Sequence, residues 1–250
     1  MNAHWYMLAR MSLAALVLAA GRGERFGGER PKAFVSLVGK SLVARSIETL
    51  VRVPLVDRVV PVIPAEELAR FEALVPAGPK LAAPVPGGAL RQDSVRAGLA
   101  SLPASFEWVA VHDAARCLVS EEEVVAVIRA AEDSGAAILA RPSPDTLKLV
   151  RRGVIESTPD RRSCWLAQTP QVFRTELLRE ALEKAQADGF EATDDAQLVE
   201  RLGVPVHVVS GTARNLKITH PEDLLIAAAL LDERQDGPPG EGSGSEGRSR

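Results

Sequence analysis

Leu13–Lys32 reads LAALVLAAGRGERFGGERPK, an apolar run, then a glycine-rich turn, then a crowd of cations. The run Leu13–Ala19 suits a strand buried on both faces of a parallel sheet, where polar alternation disappears. Gly21 and Gly23 let the backbone turn sharply and present amide hydrogens to an anion. Arg22, Arg25, Arg30 and Lys32 gather positive charge at the same place, and Pro31 fixes the backbone just before Lys32. Amides and several cations converging after a first strand suit a triphosphate. The stretch predicts a nucleotide-handling α/β enzyme.

Two other readings of these glycines fail. Gly21–Phe26 approaches the dinucleotide fingerprint GxGxxG, but Phe26 stands where the third glycine belongs. No acidic residue about 20 positions on closes a second strand to hold a ribose. Gly39-Lys40-Ser41 ends like a Walker A loop, whose first glycine would fall at Phe34.

Working outward, strand and helix signals alternate along most of the chain, which predicts a mostly parallel, Rossmann-like sheet flanked by helices. Strands are expected at Asp57–Ile63, Ala82–Val85, Glu107–His112, Ala136–Ala140, Val206–Val209 and Leu216–Ile218. Helices are expected at Ser41–Val53, Glu66–Leu74, Gln92–Leu102, Thr175–Ala187 and Thr193–Leu202. Ser120 and Glu123 form a capping box ahead of another helix, and Thr219 with Glu222 predicts one for the last. Between Pro142 and Ser163 the pattern changes. DTLKLV, a turn at Arg152-Gly153 and VIEST read as two strands of a hairpin, which needs a partner surface because an isolated hairpin is marginal in water.

The bulk numbers bound the rest. With 250 residues, 46% of them hydrophobic, the chain can bury one large core or a core with an appendage. A net charge of −3 gives no broad basic field, so nucleic acid is not the expected partner. The two cysteines, Cys117 and Cys164, have no metal spacing and fit a reducing cytoplasm. Arg10–Gly21 imitates a signal peptide, yet Arg22, Arg25 and Lys32 continue the same site, so the strand reading prevails. No stretch is long enough to span a membrane. Residues 1–10 are expected to be dispensable, with Met11 an alternative start. Residues 11–234 are expected to form a single domain with the arm at 142–163. The Gly/Ser/Pro-rich tail 235–250 is expected to be disordered.

Ligands of parallel α/β sheets sit beyond the carboxyl ends of the strands. That rule collects the first loop together with Gly87-Gly88-Ala89-Leu90-Arg91-Gln92-Asp93-Ser94, whose glycines can approach a flat base and whose Ser94 offers a hydroxyl. It also collects His112-Asp113-Ala114-Ala115-Arg116. A strand-end aspartate beside a triphosphate is a natural magnesium ligand, and it can equally cap its own turn. Thr146, Arg161, Thr169 and Lys217 could form a second, phosphate-reading half of the site.

Seven motifs stand in order: LAAGRGERFGGERPKAF, GGALRQDSV, VHDAAR, DTLK, AQTPQVF, TDDAQLVE and ARNLKIT. Together they resemble the 2-C-methyl-D-erythritol 4-phosphate cytidylyltransferases of the non-mevalonate isoprenoid pathway, over about Leu13 to Leu231. The resemblance implies a magnesium-dependent nucleotidyltransferase that joins CTP to a sugar-alcohol phosphate and releases pyrophosphate. It implies catalytic roles for Arg25, Lys32 and Lys217. It places CTP on Ala19, Ala20, Gly21, Arg22, Gly23, Gly88, Arg91 and Ser94. Arg116, Thr146, Arg161, Thr169 and Asp113 would bind the alcohol phosphate, Asp113 would also hold Mg2+, and the hairpin would serve a homodimer. Two departures stand out: Cys117 replaces a usual proline after HDAAR, and Arg214 precedes Asn215 where acidic or small residues are commoner. The nearest rival is a ribitol 5-phosphate cytidylyltransferase on the same scaffold, against which AQTPQ and TDDAQLVE lean. A non-catalytic nucleotide sensor would keep the GGALRQDS loop but need neither Lys32 nor Asp113.

Overall fold

The computed structural model describes residues 11–21, 26 and 31–235. Its centre is a seven-stranded sheet. In chain order the strands are β1 (Leu13–Leu18), β4 (Arg58–Ile63), β5 (Val85–Pro86), β6 (Trp108–Asp113), β7 (Ala136–Pro142), β10 (Trp165–Arg174) and β11 (His207–Ser210), and they lie side by side in the order β11-β7-β10-β6-β1-β4-β5. All run parallel except β10, which is antiparallel to both β6 and β7. Two small antiparallel ribbons stand apart, β2 (Ser36–Leu37) with β3 (Lys40–Ser41) and β8 (Leu149–Arg151) with β9 (Val154–Ser157).

The continuous apolar character of β1 has the expected cause. Leu13 through Val17 are fully buried on both faces because β1 sits between β6 and β4 and helices cover each side. One face packs against α1 (Leu42–Arg52) and α4 (Glu121–Ser134), the other against α3 (Arg91–Ala100) and α5 (Thr175–Ala187). Ser41 caps α1 by accepting from the Ala44 N–H at 3.3 Å. Ser120 and Glu123 cap α4 reciprocally, as their spacing predicts. The remaining helices are α2 (Leu68–Leu74), α6 (Asp195–Glu200) and α7 (Glu222–Gln235).

Four expectations need correction. Trp165–Arg174 forms a ten-residue strand that the motif AQTPQVF does not announce by alternation, because Gln168 through Phe173 are all buried. Leu216–Ile218 is not a strand; it is an extended connection to α7. At the start of α7, Asp223 rather than Glu222 reaches back, its Oδ2 accepting from the Thr219 and His220 N–H groups at 2.6 and 2.8 Å. The α7 backbone is helical to Gln235, one residue into the stretch expected to be tail. Residues 1–10 and 236–250 lie outside the described residues.

Phe173 of β10 is fully buried in the core between the sheet and α5. Phe173→Ala is expected to cost about 3–5 kcal/mol. A denaturant titration checks it, and a loss below about 1 kcal/mol would contradict the central place given to β10.

Candidate active site

The carboxyl ends of β1, β4 and β6 are tied together, so the loops leaving them share one wall. Ala19 donates to the Val62 carbonyl, Gly87 to Ile63 and Ala114 to Leu18, each at 2.8–3.0 Å. Beyond them opens a cleft of about 880 Å³, lined by Ala19, Ala20, Gly21 and Lys32 on one side and by Gly87–Arg91 and Ser94 on another. Asp113, Lys217 and Thr219 complete it. The structure thus brings Ala19, Ala20, Gly21, Lys32, Gly88, Arg91, Ser94, Asp113 and Lys217 to one cleft. Arg22, Gly23 and Arg25 lie outside the described residues.

The glycine loop is built by close packing. A Cβ on Gly87 would collide with Ala20 and with the Ser94 hydroxyl, and one on Gly88 with Asp93. The Ser94 hydroxyl is also engaged, accepting from the Gly88 N–H at 3.1 Å and lying 3.4 Å from the Leu90 carbonyl. Its first task is to shape this loop, a use that the spacing alone does not reveal.

Asp113 is the electrostatic centre. Its Oδ2 lies 2.6 Å from Lys217 Nζ and its Oδ1 lies 3.3 Å from Arg91 Nη2. Burial alone would raise its pKa, but the charges of Arg91 and Lys217 outweigh that and hold the carboxyl well below its ordinary range. Arg91 turns its other edge to Asp195, Nη1 to Oδ2 at 2.7 Å. Burial pushes the Asp195 carboxyl up, against the pull of Arg91.

A recess of about 180 Å³ adjoins the cleft and shares Arg91, Asp113 and Lys217 with it, adding Arg116 and Thr169. Both added residues are tied into the protein. Arg116 donates to the carbonyls of Asn215 and Ala167 at 2.8 and 2.9 Å. The Thr169 hydroxyl accepts from the Asp113 N–H at 3.0 Å and lies 3.1 Å from His112 Nδ1. Asn215, fully buried, donates to the Thr169 carbonyl at 3.0 Å and so fixes the loop that carries Lys217. Gln168 donates to the Thr212 and Asn215 carbonyls and steadies the same loop. Asn215, Gln168 and Asp195 escaped the sequence reading as site residues, although each lies inside a quoted motif.

Thr146 and Arg161 are elsewhere. Both are exposed near the base of the β8–β9 arm and line neither cavity. Arg161 donates to the Pro144 carbonyl at 3.1 Å, whereas its neighbour Arg162 is clasped by Asp160 at 2.6 Å. Among the described residues, Arg162 is the one of the two arginines that a carboxylate holds.

Comparison with known proteins decides the family. The family model described as "IspD: 2-C-methyl-D-erythritol 4-phosphate cytidylyltransferase" matches residues 13–233. The chain belongs to this family. A 2-C-methyl-D-erythritol 4-phosphate cytidylyltransferase of Symbiobacterium thermophilum is 44% identical over 225 residues, covering 90% of this chain and 94% of that protein. A crystal structure of the Thermus thermophilus cytidylyltransferase superposes with a TM-score of 0.74 at 40% identity, covering 89% of this chain and all of that one. The 4-diphosphocytidyl-2C-methyl-D-erythritol synthase of Anaerococcus prevotii gives a TM-score of 0.80 at 31% identity, over 88% and 96% of the two chains. The span matched by the cytidylyltransferase model takes in the cleft, the recess and the arm alike.

His112 supplies a pH signature of this packing. Burial pushes its pKa down from 6.5 to about 4, so the imidazole is neutral in the folded cytidylyltransferase. Between those values the unfolded chain binds the extra proton, and stability must fall as the pH drops through that window. The loss is about 3 kcal/mol. The Asp113 contribution is lost only lower, below its ordinary value of 3.8. Denaturant midpoints measured from pH 8 to 4 without divalent cations should show the loss, and His112→Asn should flatten it. An unchanged slope would mean that His112 is not buried neutral.

Proposed function

We propose that this chain joins CTP to 2-C-methyl-D-erythritol 4-phosphate, giving 4-diphosphocytidyl-2-C-methyl-D-erythritol and pyrophosphate. The observation that carries this reading is one cleft in which strand-end glycine loops face Lys32, Arg91 and Lys217, in a chain whose relatives bear that name. Pyrophosphate release from CTP, assayed with methylerythritol phosphate and with ribitol 5-phosphate in turn, tests it. Faster turnover with ribitol 5-phosphate would overturn the substrate assignment.

The chemistry suits residues of this kind. An oxygen of the alcohol phosphate attacks the α-phosphorus of CTP, and the bond from that phosphorus to the bridging oxygen of the pyrophosphate breaks. A phosphate oxyanion needs no base to strip it of a proton, so catalysis reduces to alignment and charge stabilisation. The buried neutral His112 is therefore not asked to act. Gly87–Ser94 would hold the cytosine and ribose, and the backbone at Ala19–Gly21 the triphosphate. Lys32 and Lys217, with Arg22 and Arg25, would neutralise charge that builds on the α-phosphate and the departing pyrophosphate. Arg116, Asp113 and Thr169 border the recess that would take the second phosphate.

Magnesium takes one or two carboxylates and completes its shell with phosphate oxygens and water. Among the described residues no three His, Cys, Asp or Glu side chains gather into a cage. Asp113 stands between its cations on the cleft wall, and that donor fits an ion carried on the triphosphate with Asp113 as its protein ligand. When bound, the ion would neutralise part of the phosphate charge.

The arm supports a homodimer. Leu149, Val150, Val154 and Ile155 are each more than half exposed, too much apolar surface for a two-stranded ribbon to leave in water. Thr146 and Arg161 at its base lie outside this chain's own cavities, as expected of residues that serve the partner's. Two cysteines that form no disulfide fit a reducing cytoplasm, and no helix among the described residues is long and apolar enough to cross a membrane.

Lys32→Ala is expected to lower kcat by about a hundredfold or more with a smaller change in CTP affinity. Near-normal turnover in that variant would contradict the role given to Lys32. Arg161→Lys keeps the charge but loses the two-pronged donor, so KM for methylerythritol phosphate should rise while CTP binding holds. A mixed dimer of Arg161→Ala and Lys32→Ala subunits should regain one working site. Verified heterodimers without recovered activity would show that Arg161 does not serve the partner.

A further inference from the structure

Asp195 is the first residue of α6, and its side chain is fully buried. Apart from the ion contact of Arg91 Nη1 to Oδ2 at 2.7 Å, neither oxygen has a hydrogen-bond partner among the described residues. A carboxylate left so bare in the interior is costly, and it is tolerated only where a cation lies against it. Its placement is enforced from the sheet. Gln171 of β10, fully buried, accepts from the Asp195 and Ala196 N–H groups through Oε1 at 3.0 Å and donates through Nε2 to Asp194 at 2.9 Å. The first turn of α6 is thereby pinned to the strand beside Thr169.

Arg91 stands between two carboxylates, Asp195 behind it and Asp113 toward the cleft. The Asp113 contact is the looser, at 3.3 Å with Asp113 partly exposed. A guanidinium held only from the cleft side would swing with any anion that entered. Held from behind by a buried charge, it keeps one edge fixed and turns the other toward Asp113 and the cavity. Arg91 opens α3 directly after the glycine loop and borders both the cleft and the recess.

We propose that Asp195 is a positioning residue, a buried anionic anchor that holds Arg91 in the orientation aligning the nucleotide's α-phosphate with the second substrate's phosphate. It touches no substrate and acts through Arg91 alone. This inference rests on the cytidylyltransferase reading. Within that reading it adds a charge that belongs to the substrate-aligning apparatus from outside the cleft.

Steady-state kinetics in both substrates test it, with thermal denaturation alongside. Asp195→Asn keeps the shape and removes the charge, so kcat should fall by on the order of a hundredfold, the scale of a misaligned site. KM for CTP should move by less than tenfold. In an Arg91→Ala background the same substitution should cost nothing further, since residues that act through one another do not add. Ser134→Ala is the control. The Ser134 hydroxyl donates to the Ala130 and Ala136 carbonyls at 2.7 and 3.0 Å, beside the first residue of β7, and Ser134 lines neither the cleft nor the recess. Loss of those bonds should lower the melting temperature with kcat within threefold of wild type. Multiplicative losses from Asp195→Asn and Arg91→Ala, or an equal kcat loss from Ser134→Ala, would overturn the proposal. If Asp195→Asn does not fold, the pair Arg91→Met/Asp195→Leu, which buries no lone charge, replaces it, and its kcat must match that of Arg91→Met alone. A wild-type chain that released no pyrophosphate would overturn the reaction and this inference with it. An active wild type with multiplicative variants would overturn this inference only.

Discussion

A carboxylate largely withdrawn from bulk water stays ionised only where cations stand against it, and Asp113 imposes that condition on the middle of this protein. It ends β6, beside Leu18 at the end of β1, where the parallel strands release their loops. To keep it charged, two distant segments must converge, Arg91 from the start of α3 and Lys217 from the connection to α7, and Arg116 three residues on joins them. Each cation is then held by something further out. Asp195 backs Arg91, Asn215 fixes the loop of Lys217, and the Asn215 and Ala167 carbonyls take the Arg116 guanidinium. The cleft is positive because its central anion requires company, and a triphosphate with a second phosphate can use the same cations.

This convergence explains why β10 runs against its neighbours. A further parallel strand between β6 and β7 would put its carboxyl end over the cleft and its own loop in the way. Reversed, β10 enters at the cleft end with Ala167, Gln168 and Thr169, where its pairing with β7 breaks register before Gln171. The break turns polar groups toward the Lys217 loop and the Asp113 backbone. Farther along, Val172 and Phe173 return to core packing. One strand thus serves as floor of the recess and as beam of the core.

What the sequence disclosed follows from how local each signal is. The first strand, the capped helices and the hairpin are legible because their causes lie within a few residues: the apolar run Leu13–Ala19, Ser120 with Glu123, and the Arg152-Gly153 turn. β10 is not, since its burial comes from lying between two other strands and its polar residues read as loop. The cation cluster of the first loop is legible as charge beside glycine. The link from Asp195 to Arg91 spans more than a hundred positions and leaves no mark in either segment. Ser94 shows the same limit in reverse: its hydroxyl is visible, while its engagement with Gly88 depends on a loop closing.

The division of labour between cleft and arm has a physical reason too. Residues that must hold charge in fixed positions sit on backbone tied into the core: Asp113 at a strand end, Arg91 at a helix start, and Lys217 on a connection that Asn215 fastens to Thr169. Thr146 and Arg161 are exposed around a two-stranded ribbon whose Leu149, Val150, Val154 and Ile155 are left open to solvent among the described residues. Such a ribbon cannot hold a guanidinium to within a fraction of an ångström by itself, and its apolar side chains find no cover in its own subunit. Covering that surface with a second copy would remove both difficulties at once. The ribbon would gain a support, and the Arg161 fork would gain a fixed position over a neighbouring recess. In the proposed dimer, pairing would belong to the assembly of the active site rather than to the stability of the fold, which the seven-stranded sheet and its helices supply within one chain.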